Sequence, residues 1–179
     1  MIRLTLAALG VSLALAASAQ EGAGARGVAP RAEDVSSIDG MIRAWYEIVS
    51  GPAGQPRDWA RDRTLYVPDV RFVQVDVDRD GRHRVVVETH AQFVERSLPL
   101  VRDGFFEKEI HRVTRRFGPI AHVWSTYESR RTADGPVLSR GINSIELFWD
   151  GKRWWIASAT WTSETPGTPI PPEYLPAGR

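Results

Sequence analysis

The stretch Phe148-Trp149-Asp150-Gly151-Lys152-Arg153-Trp154-Trp155-Ile156 decides the fold. Asp-Gly between alternating apolar residues is a strong hairpin signal, because glycine supplies the positive φ that a tight turn needs. The flanks, Val137 to Trp149 and Lys152 to Ser163, then read as two long antiparallel strands. Taking Asp150-Gly151 as a two-residue turn pairs Trp149 with Lys152, and directly opposed side chains share a face. One face holds Leu147 with Trp154, Ile145 with Ile156, Asn143 with Ser158 and Gly141 with Thr160. The other holds Phe148 with Arg153, Glu146 with Trp155, Ser144 with Ala157, Ile142 with Ala159 and Arg140 with Trp161. The first face is apolar near the turn and small and polar farther along, as a core that opens into a cavity would be.

Upstream, Phe105 to Phe117 and Ile120 to Arg130 read as two more strands joined at Gly118-Pro119. Ile110, Arg112, Thr114, Ala121, Val123, Ser125 and Tyr127 fall on the side assigned as concave. Glu107, Glu109, His111, Val113, His122, Trp124, Thr126 and Glu128 fall on the outer side. Before these strands comes a helix capped by Ser36 or Ser37, with Ile38, Met41, Ile42, Trp45, Ile48 and Val49 on one stripe and a stop at Gly51-Pro52. A short helix follows Pro56, with Trp59 inward. Val70 to Val77 and Val85 to Val87 form a hairpin turned at Asp80-Gly81. Thr89 and Gln92 make a capping-box pair for a third helix that carries Phe93, Val94 and Leu98 and ends at Pro99. The expected fold is α+β: a cone-shaped, strongly curved antiparallel sheet with about three N-terminal helices on its concave face.

The ends of the chain have other signatures. Met1 to Ala19 has one early charge at Arg3, an apolar run from Leu4 to Ala16 and small residues at Ala17-Ser18-Ala19. That pattern is a secretory signal, too short to span a bilayer, so an exported protein (periplasmic or extracellular) without a membrane anchor is expected. Residues 20–35 are Gly/Ala-rich and read as a flexible leader, 36–164 as the domain, and 165–179, with five prolines, as a proline-rich tail. There is no cysteine among the 179 residues, which excludes disulfides, thiolate metal sites and a cysteine nucleophile. Twenty-three basic residues balance 22 acidic ones, so a nucleic-acid partner is not expected.

The element order, with Asp150-Gly151 and Trp154-x-Ile156 in its closing hairpin, resembles the nuclear transport factor 2-like superfamily and its SnoaL-like group over roughly residues 36–164. The resemblance implies a cone with an interior pocket, often dimerised through the sheet. It implies no single activity, since it covers cofactor-free isomerases, dehydratases and cyclases as well as binding and assembly modules.

On this register Arg112, Ser125, Tyr127, Asn143 and Ser158, with Thr160 beside them, are polar points in a cavity otherwise lined by Trp45, Ile145, Trp154 and Ile156. Arg112 could hold a carboxylate or an enolate, and Tyr127 could donate a hydrogen bond. Alternatively, Tyr127 and Asn143 satisfy each other inside a filled core. Enzymes of the resembled superfamily commonly use an acid or a histidine as base. None lies on the concave strand faces assigned here, whereas an inverted register would offer His111 with Glu109 or Glu128. Tyr127 and His111 are therefore the catalytic candidates. Glu107, Glu109 and His111 alternate on one strand, but the spacing is generic and arginines surround it, so no metal site is expected. No phosphate loop or hydrolase motif occurs, and no cofactor is expected. His83 and His90 read as exposed. Trp124, Trp155 and Trp161 together on the outer face suggest a homodimer interface or a surface covered by Ile170, Tyr174 and Leu175 of the tail. Three functions stay open: a binding protein for a small, partly apolar molecule, a cofactor-free enzyme working by proton transfer, and an assembly module with a filled cone.

Overall fold

A computed structural model describes residues 27–178. The signal segment and the start of the leader lie outside the described residues. Packed structure begins inside the segment read as leader, at helix α1 (Ala32–Val35), where Asp34 and Val35 are buried. Helix α2 (Ile38–Val49) is capped by Ser37, whose hydroxyl accepts from the Gly40 amide at 3.0 Å. Its apolar stripe puts Met41, Ile42, Ala44, Trp45 and Ile48 into the core. Asp58 caps α3 (Trp59–Arg63). Strand β1 (Tyr66–Val77) and β2 (His83–Glu88) form the first hairpin. The Thr89–Gln92 capping box opens α4 (His90–Arg96). Pro99 does not end that helix. It sits in the first turn of a further helix, α5 (Leu98–Asp103), where the missing N–H removes no hydrogen bond. Strands β3 (Phe106–Phe117), β4 (Ile120–Arg130), β5 (Ser139–Trp149) and β6 (Trp154–Ser163) follow. Among the described residues no helix is long and apolar enough to cross a membrane.

The six strands form one curved, unclosed sheet in the order β2-β1-β6-β5-β4-β3. Only the β1–β6 pairing is parallel among them. Helix α2 packs on the concave face, where Trp45 meets Tyr66 and Phe72 edge-on at 6.0 and 6.3 Å. The helices are tied by charge as well as by packing. Asp34 is fully buried and accepts twice from Arg61, at 2.7 and 2.8 Å, and Arg61 also reaches Glu47 at 2.9 Å. The Arg61 hydrogen bond holds the Asp34 carboxyl below the usual carboxylate range, against the opposing pull of burial.

Three register details decide which residues face inward. The Asp150 turn spans four residues, not two. Asp150 Oδ1 accepts from the amides of Lys152 and Arg153, both at 2.8 Å, and the Asp150 amide reaches the Arg153 carbonyl at 3.1 Å. Trp149 therefore pairs with Trp154. A two-residue slip preserves faces, so Trp154 is buried and Trp155 looks outward. Ala157 then forms a bulge, and beyond it the pairs are Ile145 with Ala159, Asn143 with Trp161 and Gly141 with Ser163. Ser158 and Thr160 consequently lie on the outer face and Trp161 on the inner one, the reverse of the expectation. A second bulge at Ile110 pairs Glu109 with Tyr127 and Glu107 with Ser129. Both carboxylates thus turn to the concave side while His111 stays outside, which dissolves the expected outer cluster of Glu107, Glu109 and His111.

The tail returns across the outer face. Tyr174 packs on Trp124 with ring centroids 5.7 Å apart, its carbonyl accepts from Thr126 Oγ1 at 2.6 Å, and Ile170 is buried. Glu164 holds the bend by accepting from Arg140 and from the Ile170 amide.

Candidate functional site

The rungs of the concave wall follow directly from the pairing. Toward the Asp150 turn they are aliphatic: Val123 beside Ile145 and Ala159, then Ala121 beside Leu147 and Ile156. Toward the other end they become Ser125-Asn143-Trp161, Tyr127-Gly141-Ser163 and Ser129-Ser139. Helices α4 and α5 cover this second end with Phe93, Arg96, Ser97, Leu100 and Val101. Between wall and cover lies a cavity of about 260 Å³. Trp45, Trp59, Phe93, Phe105 and Trp161 supply its aromatic lining, and Glu107, Tyr127, Asn143, Gln74, Arg96 and four serines its polar one. A neighbouring groove of about 480 Å³ between α2 and β3 shares Glu107.

Glu107 is the unusual group here. Burial pushes its carboxyl up to about 8. Its carboxylate has no hydrogen-bond partner among the described residues, whereas its backbone is pinned by Ser50 Oγ on both sides. Tyr127 crosses Gly141 to reach Ser163 Oγ at 3.1 Å. A Cβ on Gly141 would sit 2.4 Å from the Tyr127 hydroxyl and 2.3 Å from the Thr162 carbonyl, so that crossing requires glycine. Burial, and then the charge of Glu107, push the Tyr127 phenol up to about 12, so it stays a protonated donor.

Of the residues expected from the sequence, Trp45, Tyr127 and Asn143 line the cavity. Arg112 is on the concave face, but its guanidinium is spent on Glu109, at 2.8 and 2.6 Å, and on Asp39, at 2.6 Å. Ser125 is fully buried between Tyr46 and Glu109 and does not line the cavity. Trp154 is part of the filled core, with Arg116 stacked 5.0 Å from its ring centroid. Ser158 faces outward because of the Ala157 bulge, and His111, opposite Thr126, keeps the outer position that strict alternation gives it. Tyr127 and Asn143 do not bond each other as the filled-core alternative supposed. Asn143 donates to Tyr46 instead. His90 is not exposed. Its Nε2 lies 2.7 Å from Asp62 Oδ2, and Tyr66 donates to the other Asp62 oxygen at 3.0 Å. Among the described residues no group of His, Asp and Glu is placed to hold a metal ion.

No family model matches the sequence, and no curated protein matches it. Solved structures do match. A nuclear transport factor 2-like protein of unknown function from Silicibacter pomeroyi superposes with a TM-score of 0.50 at 11% identity, over 72% of this chain and 94% of that one. The Kfla4162 protein from Kribbella flavida gives 0.53 at 11% identity, over 73% and 90%. A protein with a cystatin-like fold from Caulobacter vibrioides gives 0.52 at 14% identity, over 74% and 90%. The chain has the nuclear transport factor 2-like fold. The aliphatic rungs form the filled tip of the cone and the serine-rich rungs its hollow mouth. The cavity residue that sequence reasoning missed is Glu107, with Glu109 beside it on the concave side. Strict alternation placed both outside, and an inserted residue in a strand has no compositional signature of its own.

Proposed function

We propose that this protein binds a small, partly apolar molecule in the mouth of its cone. The carrying observation is the 260 Å³ aromatic cavity on which Glu107, Tyr127 and Asn143 converge. Protein isolated from its source and examined by native mass spectrometry should retain a small organic molecule. Retention of none, with tryptophan fluorescence unmoved by a panel of apolar ring compounds, would remove the reading.

A second reading is favoured by one observation, the elevated carboxyl of Glu107 beside the Tyr127 phenol. An acid poised near neutral pH within an apolar cavity is suited to moving a proton to or from a bound molecule. In that reading Glu107 takes the role that His111 held in the sequence, and Tyr127 donates a hydrogen bond to a developing oxyanion. Glu107→Gln should then abolish turnover of any substrate found without lowering the melting temperature.

Export and self-association belong to the same proposal. Amino-terminal sequencing of secreted protein should begin at Gln20. The dimer footprint moves from the one expected: Trp161 is inside, Trp124 lies under the chain's own tail, and Trp155 remains outside. Val85 and Val87, each more than half exposed on β2, extend the outer apolar surface. A monomer in sedimentation at tens of micromolar would exclude the dimer.

A further inference from the structure

The hydrogen bonds behind the cavity wall run in one direction, and that direction fixes what the wall can recognise. Arg112 grips both oxygens of Glu109, at 2.8 and 2.6 Å, so Glu109 is an acceptor only. Ser125 Oγ donates to Glu109 Oε1 at 2.5 Å. A hydroxyl has one proton, so toward Tyr46, 2.7 Å away, Ser125 must accept. The Tyr46 hydroxyl therefore spends its own proton on Ser125 and can only accept from Asn143, 3.1 Å away. This places the amide nitrogen of Asn143 against Tyr46 by chemistry alone, since the flipped amide would set two acceptors face to face. Asn143 lines the cavity, and its Oδ1 has no hydrogen-bond partner among the described residues. The wall thus offers a fixed acceptor.

The remaining lining argues against a negative charge. Among the described residues it contains one arginine, Arg96, and Glu88 already holds that guanidinium with two bonds of 2.6 and 2.7 Å. An anionic ligand would be buried beside Glu107 without a free cation, at a large desolvation cost. The volume limits size. An apolar cavity of about 150 Å³ accommodates benzene, so 260 Å³ admits one ring with small substituents.

We propose that the cavity selects uncharged, single-ring compounds that carry a hydroxyl, which donates to the Oδ1 of Asn143 held in place by the Glu109–Ser125–Tyr46 chain. This rests on the binding reading above and narrows it to a chemical class. The test is calorimetric titration of the full chain with 4-methylphenol, its methyl ether 4-methylanisole, 4-methylbenzoate and 4-methylbenzylamine. The phenol should bind best. Methylating the hydroxyl leaves a buried acceptor unpaired and should weaken binding about tenfold or more. The benzoate should not bind measurably. Asn143→Leu should erase the difference between phenol and ether. Glu109→Gln is the companion variant, because its amide can donate to Ser125, releases the direction of the chain and should shrink the phenol-to-ether ratio without touching the cavity lining. An ether that binds the wild type as tightly as the phenol, a benzylamine that binds more tightly, or a ratio unchanged in Glu109→Gln would overturn the assignment while leaving a binding cavity in place. No binding by any of the four at millimolar concentration would overturn both the class and the binding reading.

Discussion

The tip and the mouth of the cone are built from the same strands and the same sheet face, yet one is packed solid and the other is hollow. At the tip the rungs carry Val123, Ile145, Leu147 and Ile156, all buried, and Trp154 closes the end. At the mouth the same strands carry Ser125, Ser129, Ser139, Asn143 and Ser163. These short polar side chains leave the space under α4 and α5 unfilled: Ser125 and Asn143 bond Tyr46 of α2, and Ser163 bonds Tyr127 along the wall. The hollow is therefore specified by rung composition rather than by a missing helix, since α4 and α5 do span it. The two bulges add to the contrast. Each lies in a strand that enters the mouth, and each exchanges what faces the concave side: Glu107 and Glu109 in β3, Trp161 and Ser163 in β6.

The contrast can be broken from either end. The largest effect is expected from the charge at the mouth. The Glu107 carboxyl is raised from 4.5 to about 8 in the folded state, so the native protein holds a proton that the unfolded chain releases. Stability is then full below the unfolded value and falls as pH rises through the window between the two. A shift of this size corresponds to a loss on the order of 5 kcal/mol between about pH 4 and pH 9. Glu107→Gln should flatten that slope in urea melts taken across the window, and an unchanged slope would place the charge elsewhere. At the tip, Ile145→Ala should cost about 3 kcal/mol, because a fully buried aliphatic leaves a cavity that tight neighbours cannot collapse. The same denaturation measurement reads it, and a loss under about 1 kcal/mol would mean the tip is not the rigid end. Gly141→Ala should cost about 2 kcal/mol by overpacking against Tyr127 and Thr162. It should also push Tyr127 toward the hollow and weaken ligand binding, which Ile145→Ala should not do.

Much of the cone was legible in the chain. Alternation gave the strands, the Ser37 and Thr89 caps gave helix starts, and Asp150-Gly151 located the last turn. The turn length was misread because Asp150 itself caps two further amides, a side-chain act that the Asp-Gly signal does not announce. The error was harmless because a slip of two keeps every face. The bulges were not harmless. Ala157 and Ile110 look like ordinary strand residues, and each moves the side chains beyond it, counted from its hairpin turn, to the other face. Tyr127 and Asn143 reach the cavity wall where alternation puts them because their strands, β4 and β5, pair without interruption and carry no bulge. Ser158 does not lie where alternation puts it, because the Ala157 bulge stands immediately before it, and Glu107 and Glu109 do not, because the Ile110 bulge separates them from the turn that sets the register. His90 was passed over because its partner, Asp62, comes from a separate helix, a contact no local pattern encodes.

One consequence lies in the order in which the sheet can assemble. β6 is the last strand in sequence but sits inside the sheet, between β1 and β5. The meander from β3 to β5 can zip from neighbouring contacts, while the early β1–β2 hairpin must wait for Phe72 to meet Ala159 far along the chain. Non-local parallel pairing of this kind is slow to form. A nascent or truncated polypeptide ending before Trp154 would thus consist of two half-sheets with β1 and β5 as raw edges, the condition in which strands of different molecules find each other and aggregate.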